Sequence, residues 1–213
     1  MPELAFAIAG IEIERHAVSP TLRFRIEATA SAPVENIALQ CQLRIEPTRR
    51  AYAGGEHEKL SDLFGEAARW GDTLKSFLWT IVPATVPAFD GKAVFDMLVP
   101  CSFDFEIAVT KYFHGLESGE VPIAALFSGS VFYRDDDDRL QISQVSWSNA
   151  VNHRLPAALW QRLMDQYHPN SAWLRLDRET FEKLYRFKRR LGAPNFERAL
   201  ERLMAASAAD CVQ

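Results

Sequence analysis

Apolar and polar residues alternate along much of the first two thirds of the chain. The clearest case runs from Ile37 to Ile45, where every second residue is apolar and Gln40, Gln42 and Arg44 fill places between them. Segments 4–13 and 22–28 show the same period of two, the first with a bulge expected at Gly10. Such a period turns one set of side chains to a core and the other outward, which predicts β-strands.

The densest apolar stretch, residues 103–133, is predicted to form a long central hairpin. Phe103, Phe105, Ile107 and Val109 repeat every second residue, and a second apolar run extends from Ala124 to Tyr133. Shorter apolar segments at 77–82, 94–99 and 140–147 bring the expected total to eight or nine mostly antiparallel strands. That number is enough for two packed sheets.

Two regions change to a helical period. Apolar residues recur at spacings of three and four between Glu58 and Trp70, which predicts a helix inserted among the strands. From Arg154 onward the spacing is again helical. In that region we expect Asp177 to cap one helix, Gly192 to end it, and Pro194 to open another.

These patterns predict an α+β protein built on an immunoglobulin-like antiparallel β-sandwich. We expect the sandwich to occupy residues 1–150, with a helical insertion around 58–70. A C-terminal helical region, residues 151–213, is expected to dock on it through Trp160, Trp173 and Phe181. Burial of each such aromatic side chain contributes on the order of 2 to 3 kcal/mol.

Composition places the chain among globular proteins of a reducing compartment. The net charge of −4 gives no general support to binding of nucleic acid or a membrane surface. The cysteines, Cys41, Cys101 and Cys211, are odd in number and far apart, as in a cytoplasmic protein with unpaired thiols. Neither a secretory signal nor an apolar run of membrane-spanning length is visible.

No motif in the sequence specifies a reaction. The histidines are not at metal-ligand spacing, and the acidic run Asp135–Asp138 lacks the staggered spacing of a calcium loop, so we predict a solvated hairpin tip there. Phosphate-binding and nucleophile-elbow motifs are absent. We therefore predict no catalytic residue, cofactor or metal. One alternative is a small-ligand or enzymatic pocket beside the central hairpin, lined by Tyr112, His114 and Tyr133.

The segment from Trp173 to Met204 resembles a ribbon-helix-helix unit. In that family a short strand pairs with its twin in a dimer and reads the major groove of DNA. Residues 171–213 carry a net charge of +3, whereas the rest of the chain carries −7. Trp173, Arg175, Lys188, Arg189 and Arg190 are the candidate interaction residues. A helical cap with a charged solvent face explains the same pattern.

A resemblance that spans nearly the whole chain rests on the segments 100–104 (PCSFD), 111–114 (KYFH), 119–122 (GEVP), 126–129 (LFSG) and 131–133 (VFY), with the helix at Leu155-Pro156. On these segments the chain resembles a bacterial family of undefined activity whose genes lie near those of NiFe uptake hydrogenases. The resemblance implies an accessory role in hydrogenase assembly or maturation. We therefore expect a non-enzymatic cytoplasmic protein that binds a protein partner, a hydrogenase subunit or maturation factor. The alternatives are a DNA-binding regulator and the ligand pocket described above.

Overall fold

The computed structural model describes residues 2–104, 107–146 and 149–210. Contacts within the chain divide it into two compact units, residues 1–173 and 174–213. Three predicted positions, Phe105, Trp147 and Cys211, lie outside the described residues. The strand Ala150–Pro156 and the helix Ala157–Tyr167, in the region that the sequence analysis assigned to the C-terminal helices, belong to the first unit. Docking of the helices beyond residue 173 on the sandwich stays a prediction.

The first unit contains two antiparallel sheets among its described residues. The smaller sheet has the order β1-β2-β5, and the larger has the order β4-β3-β6 with β7 and β8 both paired to β6. The strands are β1 (Leu4–Ile13), β2 (Thr21–Ala30), β3 (Asn36–Ile45), β4 (Phe77–Val86), β5 (Lys92–Pro100), β6 (Glu120–Arg134), β7 (Leu140–Gln144) and β8 (Ala150–Pro156). The general prediction of an α+β protein with antiparallel sheets is confirmed. An immunoglobulin-like topology is not confirmed.

The inner faces of the two sheets meet in one hydrophobic core. Phe6 of β1 stacks on Phe127 of β6 with ring centroids 4.5 Å apart, and Phe24 of β2 packs edge-on against Trp79 of β4 at 6.1 Å. The alternation in β3 is confirmed, because all its odd-numbered residues from Ile37 to Ile45 are buried. The predicted bulge in β1 is also present, since the register with β2 shifts between Ile8 and Gly10.

Six helices occur among the described residues. They are α1 (Gly54–Phe64), α2 (Trp70–Thr73), α3 (Ala108–Gly115), α4 (Ala157–Tyr167), α5 (Arg178–Leu191) and α6 (Phe196–Asp210). Aromatic residues join α3 and α4 to the larger sheet. Phe113 stacks on Trp160 at 5.1 Å and lies 5.5 Å from Trp79, while Tyr112 packs edge-on against Phe77 at 5.6 Å.

Several predicted element boundaries are wrong. The predicted strand through Thr110 fails because residues 108–115 form α3, which buries Val109, Tyr112 and Phe113 at helical spacing. The inserted helix starts at Gly54, not Glu58, and ends at Phe64, since the φ of +74° at the following Gly65 departs from helical geometry. Pro83 was expected to break a strand, but it lies within β4. It is tolerated there because β4 is an edge strand, which is paired with a neighbour on one side only.

Candidate functional site

The outward face of the larger sheet is built by a regular register of β4, β3, β6 and the strands beyond β6. Along one row Ile81, Gln42, Leu126 and Ala150 lie side by side. Because the alternate residues of β3 and β6 point into the core, these residues point away from it. The next rows pair Gln40 with Pro83 and Ser128, Ala38 with Thr85 and Ser130, and Phe132 with Asn36 and Ile142.

This outward face, which we call the uncharged face, has no Asp, Glu, Lys or Arg across its central rows. Its members are apolar, small or amide-bearing: Asn36, Ala38, Gln40, Gln42, Ile81, Pro83, Thr85, Leu126, Ser128, Ser130, Phe132, Ile142, Gln144 and Ala150. Depletion of charge is what separates the centre of a protein interface from ordinary surface. An exposed sheet face of ordinary surface character would carry Lys, Glu or Arg at many of these places.

Large apolar side chains of the uncharged face are open to solvent. Ile142 is 64% exposed and Ile81 is 51% exposed, while Leu126 and Phe132 are half-buried between their neighbours. Leu140 and Leu78, at opposite ends of the face, add further exposed apolar surface. The combination of uncharged centre and exposed aliphatic residues is suited to docking a flat surface of another protein.

Charged residues lie at the two ends of the uncharged face, and the ends differ in net charge, although Arg134 and Arg139 accompany the acidic residues at the second end. At one end are Arg44, which donates to the Ser76 hydroxyl (2.9 Å), and Arg154 of β8. At the other end is the predicted turn of residues 135–138, now confirmed as the β6–β7 connection. There the Asp135 carboxylate accepts from the amides of Arg139 (2.9 Å) and Asp137 (3.0 Å) and from Gln141, and these bonds lower its pKa. The first end is therefore basic, and the second is acidic on balance.

A surface cavity of about 560 Å³ lies at the basic end. It is lined by Arg49, Glu120, Pro122, Ile123, Asn152, His153 and Arg154. Burial lowers the pKa of His153, and the nearby Glu120 carboxylate opposes that shift only in part. Arg49 donates to the side-chain oxygen of Asn152, which joins the cavity wall to the rim of the uncharged face. Its lining residues place this cavity at the rim of the uncharged face.

A buried ion pair anchors helix α1 near this end of the first unit. Arg50 donates to both carboxylate oxygens of Glu56, at 2.8 and 3.0 Å, and both side chains are more than nine-tenths buried. Glu56 also accepts from the amides of Ala53 and Glu117, each at 2.9 Å. Burial alone would raise the pKa of Glu56, but these amides and Arg50 outweigh it and lower the pKa. The pair is thus a structural clamp.

The predicted pocket residues are not brought together around one cavity. Tyr112 is fully buried, where its hydroxyl meets that of Tyr52 at 2.9 Å, and burial raises its pKa. His114, two residues further along the same helix, is exposed. Tyr112 packs on Phe77, which is aligned through Ile45 with Ile123 of β6. Tyr133 is half-buried and lies ten residues further along β6, a span of roughly 30 Å. The five predicted interaction residues are likewise divided, between the two units of the chain.

Of the predicted interaction residues, Trp173 belongs to the first unit and the other four to the second. Trp173 is 57% exposed, packs edge-on against Phe103 and forms an isolated bridge with Asp104. Residues 174–177 form no strand, so the structure does not show the expected ribbon. Lys188 lies over the Phe196 ring at 5.0 Å, and Arg189 and Arg190 are exposed in the last turn of α5, where positive charge stabilises a helix end.

The described part of the chain contains no cluster of His, Cys, Asp and Glu that could hold a metal ion. Within the same ranges no helix has the length and apolar character needed to cross a membrane. Cys41 and Cys101 are unpaired and buried, and burial raises the pKa of each thiol to about 12, which makes both poor nucleophiles.

Sequence reasoning missed the uncharged face because it spans strands that are distant in the chain. The available signal was the outward set of β3, where Ala38, Gln40 and Gln42 carry no charge. Ser128 and Ser130 of β6 repeat that feature. Only the register, which aligns Gln40 with Ser128, shows that these short segments form one surface.

Comparison with known proteins identifies a family but no activity. No curated protein matches the chain. Among solved structures, a β-glucosidase from Kluyveromyces marxianus aligns with 72% of this chain and 15% of its own, at 6% identity and a TM-score of 0.27, which is too low to support an argument. The chain thus spans a small part of that enzyme's length. The profile of the "Family of unknown function (DUF6084)" matches residues 1–211, and the chain belongs to that family.

Proposed function

We propose that this protein is a non-enzymatic accessory protein that docks a protein partner on the uncharged face. The observation that carries the proposal is the run of four adjacent rows without a charged side chain, flanked by Arg44 and Arg154 at one end and by Asp135–Asp138 at the other. A charge-depleted centre inside a charged rim is the general anatomy of a protein interface. The partner surface that fits is flat and uncharged at its centre, with acidic residues toward the basic end.

The sequence resemblance described above suggests the identity of that partner. We propose a subunit or maturation factor of a NiFe uptake hydrogenase in a bacterial cytoplasm. Accessory proteins of this kind hold a client by surface contact and need no reaction centre of their own. Two buried contacts support this role, because the Arg50–Glu56 ion pair and the contact between the Tyr52 and Tyr112 hydroxyls hold these polar groups within the fold.

The finer topology that we propose for the sandwich is immunoglobulin-like. The order β1-β2-β5 corresponds to strands A, B and E of such a domain, and β4-β3-β6 corresponds to C′, C and F. Strands β7 and β8, which pair with different parts of β6, would together take the place of strand G. In this description the uncharged face is the outer face of the C′-C-F-G sheet.

The test places a charge at the centre of the uncharged face. Tagged full-length chain, expressed in its native cells, is purified with bound proteins, which are identified by mass spectrometry. We expect a hydrogenase subunit or maturation factor with the wild type and its loss with Gln40→Arg or Ser128→Arg, because a buried unpaired charge is costly at an interface. The matched control is Leu98→Arg, which adds the same charge to an exposed site on the smaller sheet.

The two parts of the proposal fail in different ways. Recovery of a specific partner that is unrelated to hydrogenases would contradict the proposed identity of the partner but not the proposed docking face. Retention of the hydrogenase component by both arginine variants would remove the docking face. Recovery of neither kind of partner would remove the accessory role itself.

A second candidate is DNA binding by the C-terminal helices. The observation that favours it is the exposure of Arg175, Arg189 and Arg190 in a unit with a net positive charge. Phosphate contacts of this kind would make the affinity fall steeply with salt. Electrophoretic mobility shifts on duplex DNA should then weaken with Arg189→Glu. The absence of any shift at low salt would exclude this candidate.

A further inference from the structure

The second unit is a pair of helices with well-formed ends. Asp177 accepts from the Thr180 amide at 2.9 Å and caps α5, and Gly192, with φ of +61°, ends it. The side-chain oxygen of Asn195 accepts from the Arg198 amide at 3.0 Å in the first turn of α6. Phe196 then packs on Phe181, with ring centroids 5.6 Å apart. The local sequence therefore specifies two helices and the turn between them.

This helical hairpin leaves most of its apolar surface exposed. Among the apolar residues of this unit whose side chains are described, only Ala199 is buried. Five large side chains stay more than a third exposed: Phe181 at 43%, Tyr185 at 41%, Leu200 at 36%, Leu203 at 39% and Met204 at 64%. A unit of this size cannot bury enough surface to be stable alone, and helices of 14 and 15 residues are marginal in water. This apolar hairpin face therefore requires a cover.

The charges along α5 indicate what covers the face. Its first two turns are neutral overall, since Arg178 and Lys183 offset Glu179 and Glu182. Its second half carries four positive charges, on Arg186, Lys188, Arg189 and Arg190. Two copies of α5 side by side in parallel would oppose these positive halves. An antiparallel pair instead places each positive half beside the half that holds the acidic residues.

Residue spacing gives this antiparallel pair a specific contact. Glu182 lies three residues before Tyr185, and Arg189 lies four residues after it. Each residue turns an α-helix by about 100°, so Glu182 lies about 60° and Arg189 about 40° around the helix from Tyr185, on the same side of it. In an antiparallel helix pair related by a twofold axis, residues on one flank meet the same flank of the other helix. With the axis near Tyr185, Glu182 of each copy meets Arg189 of the other.

We propose that the apolar hairpin face is covered by a second copy of this chain, with the two α5 helices antiparallel and two symmetry-related Glu182–Arg189 pairs across the interface. The resulting homodimer is a four-helix assembly in which Tyr185 and Phe181 lie near the twofold axis. This inference does not depend on the uncharged face, which lies in the other unit. A dimer of this kind presents two uncharged faces to its partners.

The test is a charge-reversal cycle on the full-length chain, read by sedimentation equilibrium. We expect a wild-type dimer, and about tenfold weaker association for Glu182→Arg or Arg189→Glu, because each single reversal turns two attractive pairs into two repulsive ones. The double variant should restore wild-type association. Arg190→Glu is the matched control: it makes the same charge change on the same helix but points away from Tyr185, and it should leave the dimer intact.

Each alternative outcome overturns the proposal. A wild-type chain that stays monomeric at every concentration shows that something other than a second copy covers the face. A dimer that neither single reversal weakens, or that the double variant fails to restore, shows that α5 does not pair in this way. Circular dichroism of each variant checks that the helices remain folded. Gln40→Arg, which tests the docking face, should not change the dimer, so failures of the two proposals are distinguishable.

Discussion

At the scale of single residues, Gly129 controls how closely β3 and β6 approach. Its φ is +146°, and a Cβ atom at this position would lie 2.1 Å from the Ala38 carbonyl oxygen. We expect Gly129→Ala to destabilise the protein by about 2 kcal/mol or more, because it combines backbone strain with a clash against rigid backbone. Urea unfolding measures the loss. Gly10→Ala is the control, since no atom lies within 4 Å of its added methyl group, and an equal loss in both variants would contradict this account.

A second residue-scale prediction concerns the buried Arg50–Glu56 pair. Glu56→Ala leaves a buried guanidinium without its counterion and two amides without their acceptor. Breaking a buried pair in this way costs about 3 to 5 kcal/mol. Chemical unfolding of this variant should show that loss, while the exposed neighbour Glu58→Ala should stay within about 0.5 kcal/mol of wild type. Equal stability of the two variants would contradict the clamp.

The same carboxyl group predicts a dependence of stability on pH. The folded-state pKa of Glu56 is lowered from its ordinary value of 4.5, so its contribution to stability is fully present above that value. The contribution is lost as the pH falls through the folded-state pKa, because protons then bind the unfolded chain more readily. Glu56→Gln should therefore lose less stability than wild type between neutral and acidic pH. Parallel curves of unfolding free energy against pH for the two proteins would exclude this role.

At the scale of elements, the sequence predicted best where one period was unambiguous. In β3 every inward residue is apolar, whereas the outward residues are Asn, Ala, Gln or Arg. The sequence therefore predicted both the strand and the side of it that is buried. Helix α3 was missed because residues 103–109 also alternate. Val109, Tyr112, Phe113 and Leu116 have the i, i+3, i+4, i+7 spacing of a buried helix face, and this second signal was present in the sequence.

The start of α1 shows a boundary that propensity alone could not place. Two glycines open the helix although glycine is a poor helix former. Glu56 overrides that preference, since its carboxylate binds the Ala53 amide ahead of the helix and the Glu117 amide from another segment. The second of these partners is distant in sequence. The helix start therefore depends on tertiary contacts, which local patterns do not contain.

The cap of α5 allows an element-scale prediction in the second unit. Asp177→Ala removes the acceptor for the Thr180 amide and for its hydroxyl, at 2.9 and 2.6 Å. Loss of such a cap costs about 1 kcal/mol, so amides of 178–191 should exchange about fivefold faster with deuterium. Asp177→Asn keeps a side-chain oxygen and should exchange nearly as wild type. Unchanged exchange in Asp177→Ala would show that the cap does not support the helix.

At the scale of the whole molecule, the position of the boundary between units decides which segments fold together. The sequence analysis placed it after residue 150, where the period changes to helical. That change is real, yet β8 pairs with β6, and α4 buries Trp160 and Leu163 in the main core. A helical period reports local structure, whereas membership of a unit depends on which core the apolar face joins.

Two truncations test this boundary directly. A chain of residues 1–173 keeps every strand and helix of the first unit, and we expect it to unfold cooperatively with an unchanged urea midpoint. A chain of residues 1–150 lacks Leu155, Trp160 and Leu163, whose burial contributes roughly 1.5 to 3 kcal/mol each, and it leaves the first half of β6 unpaired on one side. We expect it to aggregate or to unfold without cooperativity. If the shorter chain unfolded as cooperatively as the longer one, β8 and α4 would be an appendage and the boundary at residue 150 would stand.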